Sequence, residues 1–189
     1  MSLLLDAIRT ESRVTDGLLK VDRFLNHRVR PDVLREVGAG IGALIEGWGA
    51  DVLLTAEASG IPPALAASLE TGLPTVYAKK FVGPGRRRSF GREVSSPTKG
   101  FEYRVEVARH VLDPGQRVVV VDDFLSGGRT AVALVEIARE AGAEVLGGTF
   151  VIEKAWMPGR GRLESIGCEA HSLVSIASVD GGDVVFTDA

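Results

Sequence analysis

Two adjacent carboxylates, Asp122 and Asp123, stand between a valine run and a glycine turn in Val118-Val-Val-Val-Asp-Asp-Phe-Leu-Ser-Gly-Gly-Arg-Thr130. Acids side by side at the end of a buried strand are costly without a ligand, so the pair points to chemistry. Ser126, Gly127, Gly128, Arg129 and Thr130 follow with backbone N–H groups, hydroxyls and a helix start, which suit a phosphate. The carboxylates cannot bind that phosphate. One turn away, they suit the hydroxyls of a ribose and a hydrated magnesium ion carried by the ligand. The stretch reads as a site for a phosphorylated sugar. A Walker A loop is excluded because no Gly-Lys-Ser/Thr is present, and a dinucleotide fingerprint because the glycines are compact rather than spread as G-x-G-x-x-G. Gly38-Ala-Gly-Ile-Gly-Ala43 matches that spacing on paper, but it lies inside a helical pattern and follows no strand, so helix packing is the better reason for it.

The elements that must position these residues alternate between helix and strand, the order of a parallel sheet. The valine run predicts a central strand buried on both faces, with its carboxyl end at the ligand edge of an open α/β sheet. Arg30–Trp48 predicts a helix with Pro31 in its first turn and Val33, Leu34, Val37, Ile41, Leu44 and Ile45 on a buried face. Val52–Thr55 is a short strand, Ile61–Thr71 a helix closed by Gly72, and Thr75–Lys79 a strand. Gly83–Gly100 reads as a long polar loop and Tyr103–Ala108 as a strand at the sheet edge or on the loop's flank. Thr130–Ala141 is the helix behind the phosphate turn, and Val145–Glu153, Cys168–Ser175 and Val184–Thr187 are further strands, the last after a Gly181-Gly182 turn.

Length and composition narrow the class. At 189 residues the chain is expected to form one domain with a core about 30–153. With 22 basic against 25 acidic residues, the charge balance gives no support to a nucleic-acid footprint over the whole domain or to a polybasic membrane anchor. A single cysteine, Cys168, excludes an internal disulfide and a multi-cysteine metal site, which with the charged N-terminus predicts a cytoplasmic protein. Thr55-Ala-Glu-Ala-Ser-Gly-Ile-Pro62 is a second small-residue loop after a strand, on the same sheet edge as the acids. Lys79 and Lys80 end the next strand, and Arg86, Arg87, Arg88, Arg92 and Lys99 follow in the polar loop. That position suits a basic lid over a polyanionic ligand, and Lys79 is the foremost candidate.

The strand, acid pair and Ser-Gly-Gly turn resemble the fingerprint of the type I phosphoribosyltransferases, which use phosphoribosyl diphosphate. Leu18-Leu-Lys-Val-Asp-Arg-Phe-Leu-Asn-His27 and Val151-Ile-Glu-Lys-Ala-Trp-Met-Pro-Gly-Arg160 are similar to the N-terminal and hood motifs of the xanthine phosphoribosyltransferases, over nearly the whole chain. The resemblance implies an α/β fold with a central, mainly parallel sheet flanked by helices and a small hood built from residues 1–29 and 154–189. It implies that Ala58, Ser59 and Gly60 form the loop for the leaving diphosphate, and that Leu19, Asn26 and Lys154 contact the purine. It further implies magnesium with phosphoribosyl diphosphate as cosubstrate, and a homodimer with the loop after Lys79 near the partner. A Lys154 ammonium suits the oxygen at carbon 6 of an oxo-purine and argues against the amino group of adenine. Trp156 or Phe124 would stack on the base.

Two segments depart from the xanthine pattern. Ser126-Gly-Gly-Arg-Thr130 is closer to the turn of the adenine enzymes, and Phe101–Val107 resembles their lid, in which a Glu-Tyr pair lies near the reaction. Glu102 becomes a candidate for assisting catalysis. The expected reaction is phosphoribosyl transfer to xanthine, with guanine, hypoxanthine or adenine as alternative bases. A non-catalytic regulator that binds phosphoribosyl diphosphate is the alternative of another class, and Lys79, Lys80 and Lys154 weigh for the enzyme.

Overall fold

The computed structural model describes residues 2–15, 18–81, 88–95, 102–180 and 183–187. Its elements in chain order are α1 (Ser2–Glu11), β1 (Arg13–Thr15), β2 (Leu18–Lys20), α2 (Pro31–Ile45), β3 (Val52–Ala56), α3 (Ile61–Thr71), β4 (Thr75–Phe81), β5 (Ser89–Ser95), β6 (Glu102–Ala108), β7 (Arg117–Leu125), α4 (Arg129–Glu140), β8 (Glu144–Lys154), α5 (Gly159–Ser165), β9 (Ala170–Asp180) and β10 (Asp183–Phe186). Eight strands form one sheet in the order β10-β9-β8-β7-β3-β4-β6-β5. The stretch from β9 to β4 is parallel, and the flanks β10, β6 and β5 are antiparallel. The architecture is α/β, as its patterning predicts.

The valine run explains the centre of this sheet. Val118 and Val120 face the core beneath α4, whereas Val119 and Val121 face the core beneath α2 and α3. All four are fully buried, and each contributes roughly 1.5–3 kcal/mol by leaving water. On α2, Val33, Val37, Ile41 and Ile45 recur every four residues and form one buried stripe, while Leu34 and Leu44 sit at its half-exposed margins. The glycines of α2 serve packing: a Cβ on Gly38 would lie 2.7 Å from the Ala66 carbonyl oxygen of α3.

Three expectations are corrected. The segment 83–100 is not a loop throughout, because Ser89–Ser95 forms β5 and pairs antiparallel with β6. Phe90 and Val94 are buried and Arg92 pairs with Glu136 and Glu140 of α4, so this arginine braces the sheet edge instead of serving a lid. It follows that β6 is an inner strand and β5 the edge. Residues 82–87 and 96–100, with Arg86, Arg87 and Lys99, lie outside the described residues, as does the Gly181-Gly182 turn. The charged N-terminal segment is the helix α1 and buries Leu4, Ala7 and Ile8. α5 is a further helix that the strand-centred reading passes over.

Replacing Gly38 with alanine forces α2 off α3, because the obstructing atoms are backbone and cannot swing aside. The expected loss is about 1–3 kcal/mol of unfolding free energy, read as a lower urea midpoint at unchanged slope. An unchanged midpoint would show that the helices are not in this close contact.

Candidate active site

At the carboxyl end of β7 the buried strand opens into a cleft of about 450 Å³ whose walls include Asp122, Phe124, Ser126–Thr130, Lys154 and Leu18. Although the two acids are consecutive on the strand, their carboxylates stay close enough to interact with each other. Asp123 is buried, accepting from the Asn26 amide at 3.1 Å and from the Ser59 hydroxyl at 3.0 Å. Asp122 accepts the Asp123 backbone N–H at 2.9 Å. Burial first, and then the neighbouring Asp123 carboxylate, push Asp122 well above the usual carboxylate range; the Lys80 ammonium acts in the opposite sense.

The glycine turn after β7 leads directly into a helix, as its sequence suggests. Gly128 has φ +73°, a left-handed conformation that favours glycine, and α4 starts immediately after it. Thr130 shares a hydrogen bond of 3.0 Å with the Tyr103 hydroxyl, and the Lys80 ammonium lies 5.2 Å from the centre of the Tyr103 ring. The loop after β3 also reaches the acids. A Cβ on Gly60 would fall 2.6 Å from Asp122 Oδ1 and 2.2 Å from Thr55 Oγ1, so the loop requires glycine there. Ser59 touches Asp123 directly, whereas Ala58 does not line the cleft.

Lys154 is buried at the end of β8, with its ammonium 4.9 Å from the Phe124 ring centre. Burial lowers its pKa, and the Asp123 carboxylate partly offsets that. Beneath it, Glu153 is buried and gripped by Arg160 of α5 and by the Ser172 hydroxyl. Burial opposes ionisation of Glu153, but the Arg160 and Ser172 hydrogen bonds prevail and hold its pKa below the usual range.

Several predicted residues are placed elsewhere. Leu19 is 5% exposed and packs in the core, whereas its neighbour Leu18, 43% exposed, lines the cleft. Trp156 is half-exposed and off the cleft wall, where Met157 and Pro158 stand instead. Lys79 lines a neighbouring cavity of about 670 Å³ with Glu57, Arg88 and His110, and Lys80, which borders the same cavity, is the lysine felt by Asp122. The side chain of Glu102 lies outside what is described. Sequence reasoning passed over Tyr103 as a partner of Thr130, and over Arg162, which lines the cleft and donates to the Gly127 carbonyl at 2.5 Å. The Gly159-Arg-Gly-Arg162 run was the available signal for Arg162.

No family model matches the chain. It is 41% identical over 174 residues to the xanthine phosphoribosyltransferase of Chloroflexus aurantiacus, covering 92% of this chain and 82% of that one. It is 42% identical over 193 residues to the xanthine phosphoribosyltransferase of Geobacillus thermodenitrificans, covering 98% and 97%. Its fold matches the crystal structure of adenine phosphoribosyltransferase from Rhodothermus marinus with a TM-score of 0.75, at 19% identity over 93% of this chain and 99% of that one. At that identity the structural likeness speaks for the fold alone.

The raised pKa of Asp122 has a consequence for stability. Its contribution is fully present below the ordinary carboxylate range and is lost as pH rises through the raised value, so the acid costs the fold stability as pH rises. Asp122→Asn keeps the oxygen that accepts from Asp123 and removes the charge. Its melting temperature at pH 7 should exceed the wild type's by at least about 2 °C, roughly 1 kcal/mol at this size, with the gap closing towards about pH 4. A gap of the opposite sign, or one that ignores pH, would refute this account of the pair.

Proposed function

The chain belongs to the xanthine phosphoribosyltransferase family, and from that premise we infer how its own residues perform the reaction. It is a purine salvage enzyme that transfers the 5-phosphoribosyl group of phosphoribosyl diphosphate to xanthine, giving xanthosine 5′-monophosphate and diphosphate. The observation that carries the assignment is identity of 38–42% to xanthine phosphoribosyltransferases over nearly the full chain.

In the reaction a purine ring nitrogen forms the bond to the anomeric carbon, the bond from that carbon to the diphosphate oxygen breaks, and the ring nitrogen gives up its proton. The transition state is oxocarbenium-like, so placement and electrostatics carry most of the rate. We assign the 5′-phosphate to Ser126, Gly127, Gly128, Arg129 and Thr130. The ribose hydroxyls go to Asp122 and Asp123, whose charge favours the developing cation. Ala58, Ser59 and Gly60, with Lys79 and with Lys80 beside it, are assigned to the diphosphate side, and Glu102 to the lid.

Recognition of the base falls to Lys154, Asn26 and Phe124. The Asn26 amide donates to Asp123, which leaves its carbonyl to accept from a ring N–H. Lys154 Nζ donates to an exocyclic oxygen, and Phe124 offers an aromatic face beside it. The packing of Leu19 makes it a support beneath the base, with Leu18 nearer to it. Trp156 enters the base site only if the hood closes.

Hard carboxylate oxygens suit magnesium, and among the described residues no cluster of three or more potential ligands would hold a metal alone. Asp122 and Asp123 would hold the ion jointly with phosphoribosyl diphosphate, and it would then neutralise charge on the departing diphosphate. A homodimer is the proposed assembly: Leu69 is 89% exposed one turn beyond half-exposed Leu65 on α3, and Tyr77 and Val111 leave further apolar surface. No helix is long and apolar enough to cross a membrane among the described residues, and a single buried free cysteine suits the cytoplasm we propose.

Turnover with magnesium and phosphoribosyl diphosphate should be fastest with xanthine when guanine, hypoxanthine and adenine are offered in parallel. Fastest turnover with adenine would transfer the specificity argument to the turn and lid segments. Asp122→Asn and Asp123→Asn should each lower kcat by at least about tenfold, some 1.4 kcal/mol, without unfolding the protein. Wild-type turnover in both variants would remove the acids from the mechanism.

A further inference from the structure

The peptide between Gly127 and Gly128 has an unusual degree of freedom at a position where its orientation matters. It is flanked by two glycines, so no Cβ opposes a flip that exchanges the direction of its carbonyl and its N–H. Among the described residues no acceptor takes the N–H of either glycine, although Gly128 is buried. A buried N–H without an acceptor is costly unless a ligand supplies one. In the flipped state a carbonyl oxygen would face an incoming anion and repel it.

One side chain opposes the flip. Arg162 of α5 donates from Nη1 to the Gly127 carbonyl oxygen at 2.5 Å. Because a trans peptide sets its C=O and N–H antiparallel, this bond turns the Gly128 N–H away from Arg162. The hydrogen bond is charge-assisted, and among the described residues no carboxylate pairs with Arg162, so its full charge also acts in the cleft it lines. α5 is held against the turn: a Cβ on Gly128 would lie 2.8 Å from Gly159 Cα, and one on Gly159 would lie 2.4 Å from the Ser126 carbonyl oxygen. Arg162 therefore acts from a fixed base.

We propose that Arg162 is a positioning residue for the phosphate end of the reaction, holding the Gly127–Gly128 peptide so that the Gly128 N–H is presented to the 5′-phosphate. The inference rests on the assignment of that phosphate to the Ser126–Thr130 turn. It is tested with ribose 5-phosphate as the probe, in Arg162→Gln, Arg162→Lys and, as a control on the turn itself, Thr130→Ala. Arg162→Gln should weaken ribose 5-phosphate binding and raise KM for phosphoribosyl diphosphate by about tenfold. KM for xanthine and kcat should stay within about threefold, Arg162→Lys should recover part of the loss, and the Gly128 amide resonance should lose its response to the probe in the glutamine variant.

A folded Arg162→Gln protein that binds ribose 5-phosphate like wild type, while Thr130→Ala binds it weakly, overturns the positioning role and leaves the turn assignment standing. Unchanged binding in both variants overturns both. A loss confined to kcat and to xanthine also overturns the proposal. Should the glutamine variant fail to fold, the lysine variant carries the same comparison, because it keeps the charge and loses the planar donor geometry.

Discussion

Two like charges on consecutive residues at the mouth of a buried strand are the constraint around which this protein is organised. A strand packed on both faces has no water to screen such a pair, so each acid must be dealt with separately. The two carboxylates still interact with each other, so their separate partners decide how each is accommodated. Asp123 is claimed by Asn26 from the N-terminal segment and by Ser59 from the loop after β3. Asp122 is left facing the cleft, with the Lys80 ammonium acting against the rise of its pKa. Segments far apart in the chain thus converge because one strand end demands partners.

The surroundings show the cost of this arrangement. Thr55 is fully buried, and its hydroxyl has no partner among the described residues. Gly60 passes so close to Thr55 and Asp122 that any side chain would displace them. Such crowding of unsatisfied or unfavourably charged groups is what a binding cleft retains when the ligand supplies the missing interactions. The two apolar cores on either side of the sheet provide the stability that makes it tolerable.

Much of this was legible in the sequence, for identifiable reasons. The valine run, the proline start and glycine end of α3, and the acids followed by Ser-Gly-Gly are signals whose meaning does not depend on tertiary partners. Where the reading failed, the missing information was parity or context. Leu18 and Leu19 are equivalent on paper, and only the pairing of β2 with β1 decides which faces the cleft. Lys79 and Lys80 pose the same problem on β4. β5 was hidden because Phe90, Arg92 and Val94 alternate among glycine, serine and charge, and Arg92 takes its meaning from Glu136 and Glu140 across the sheet edge. α1 and α5 are short, and their buried faces exist only against the elements they cover.

The short helix α5 joins two recognition tasks. Arg160 grips Glu153, the residue next to Lys154; two residues on, Arg162 grips the Gly127 carbonyl in the turn after β7. Two nearby residues of one short helix therefore tie together the end of β8 and the turn after β7, the segments proposed above to meet the base and the phosphate. Neighbouring helical residues keep a fixed rise, so the spacing of these two grips is set by the helix and not by the loops around it. Under the proposed assignment, residues that meet the base could be exchanged without resetting the span to the phosphate, which would leave a lineage free to change the purine it accepts while the length of nucleotide it measures stays the same.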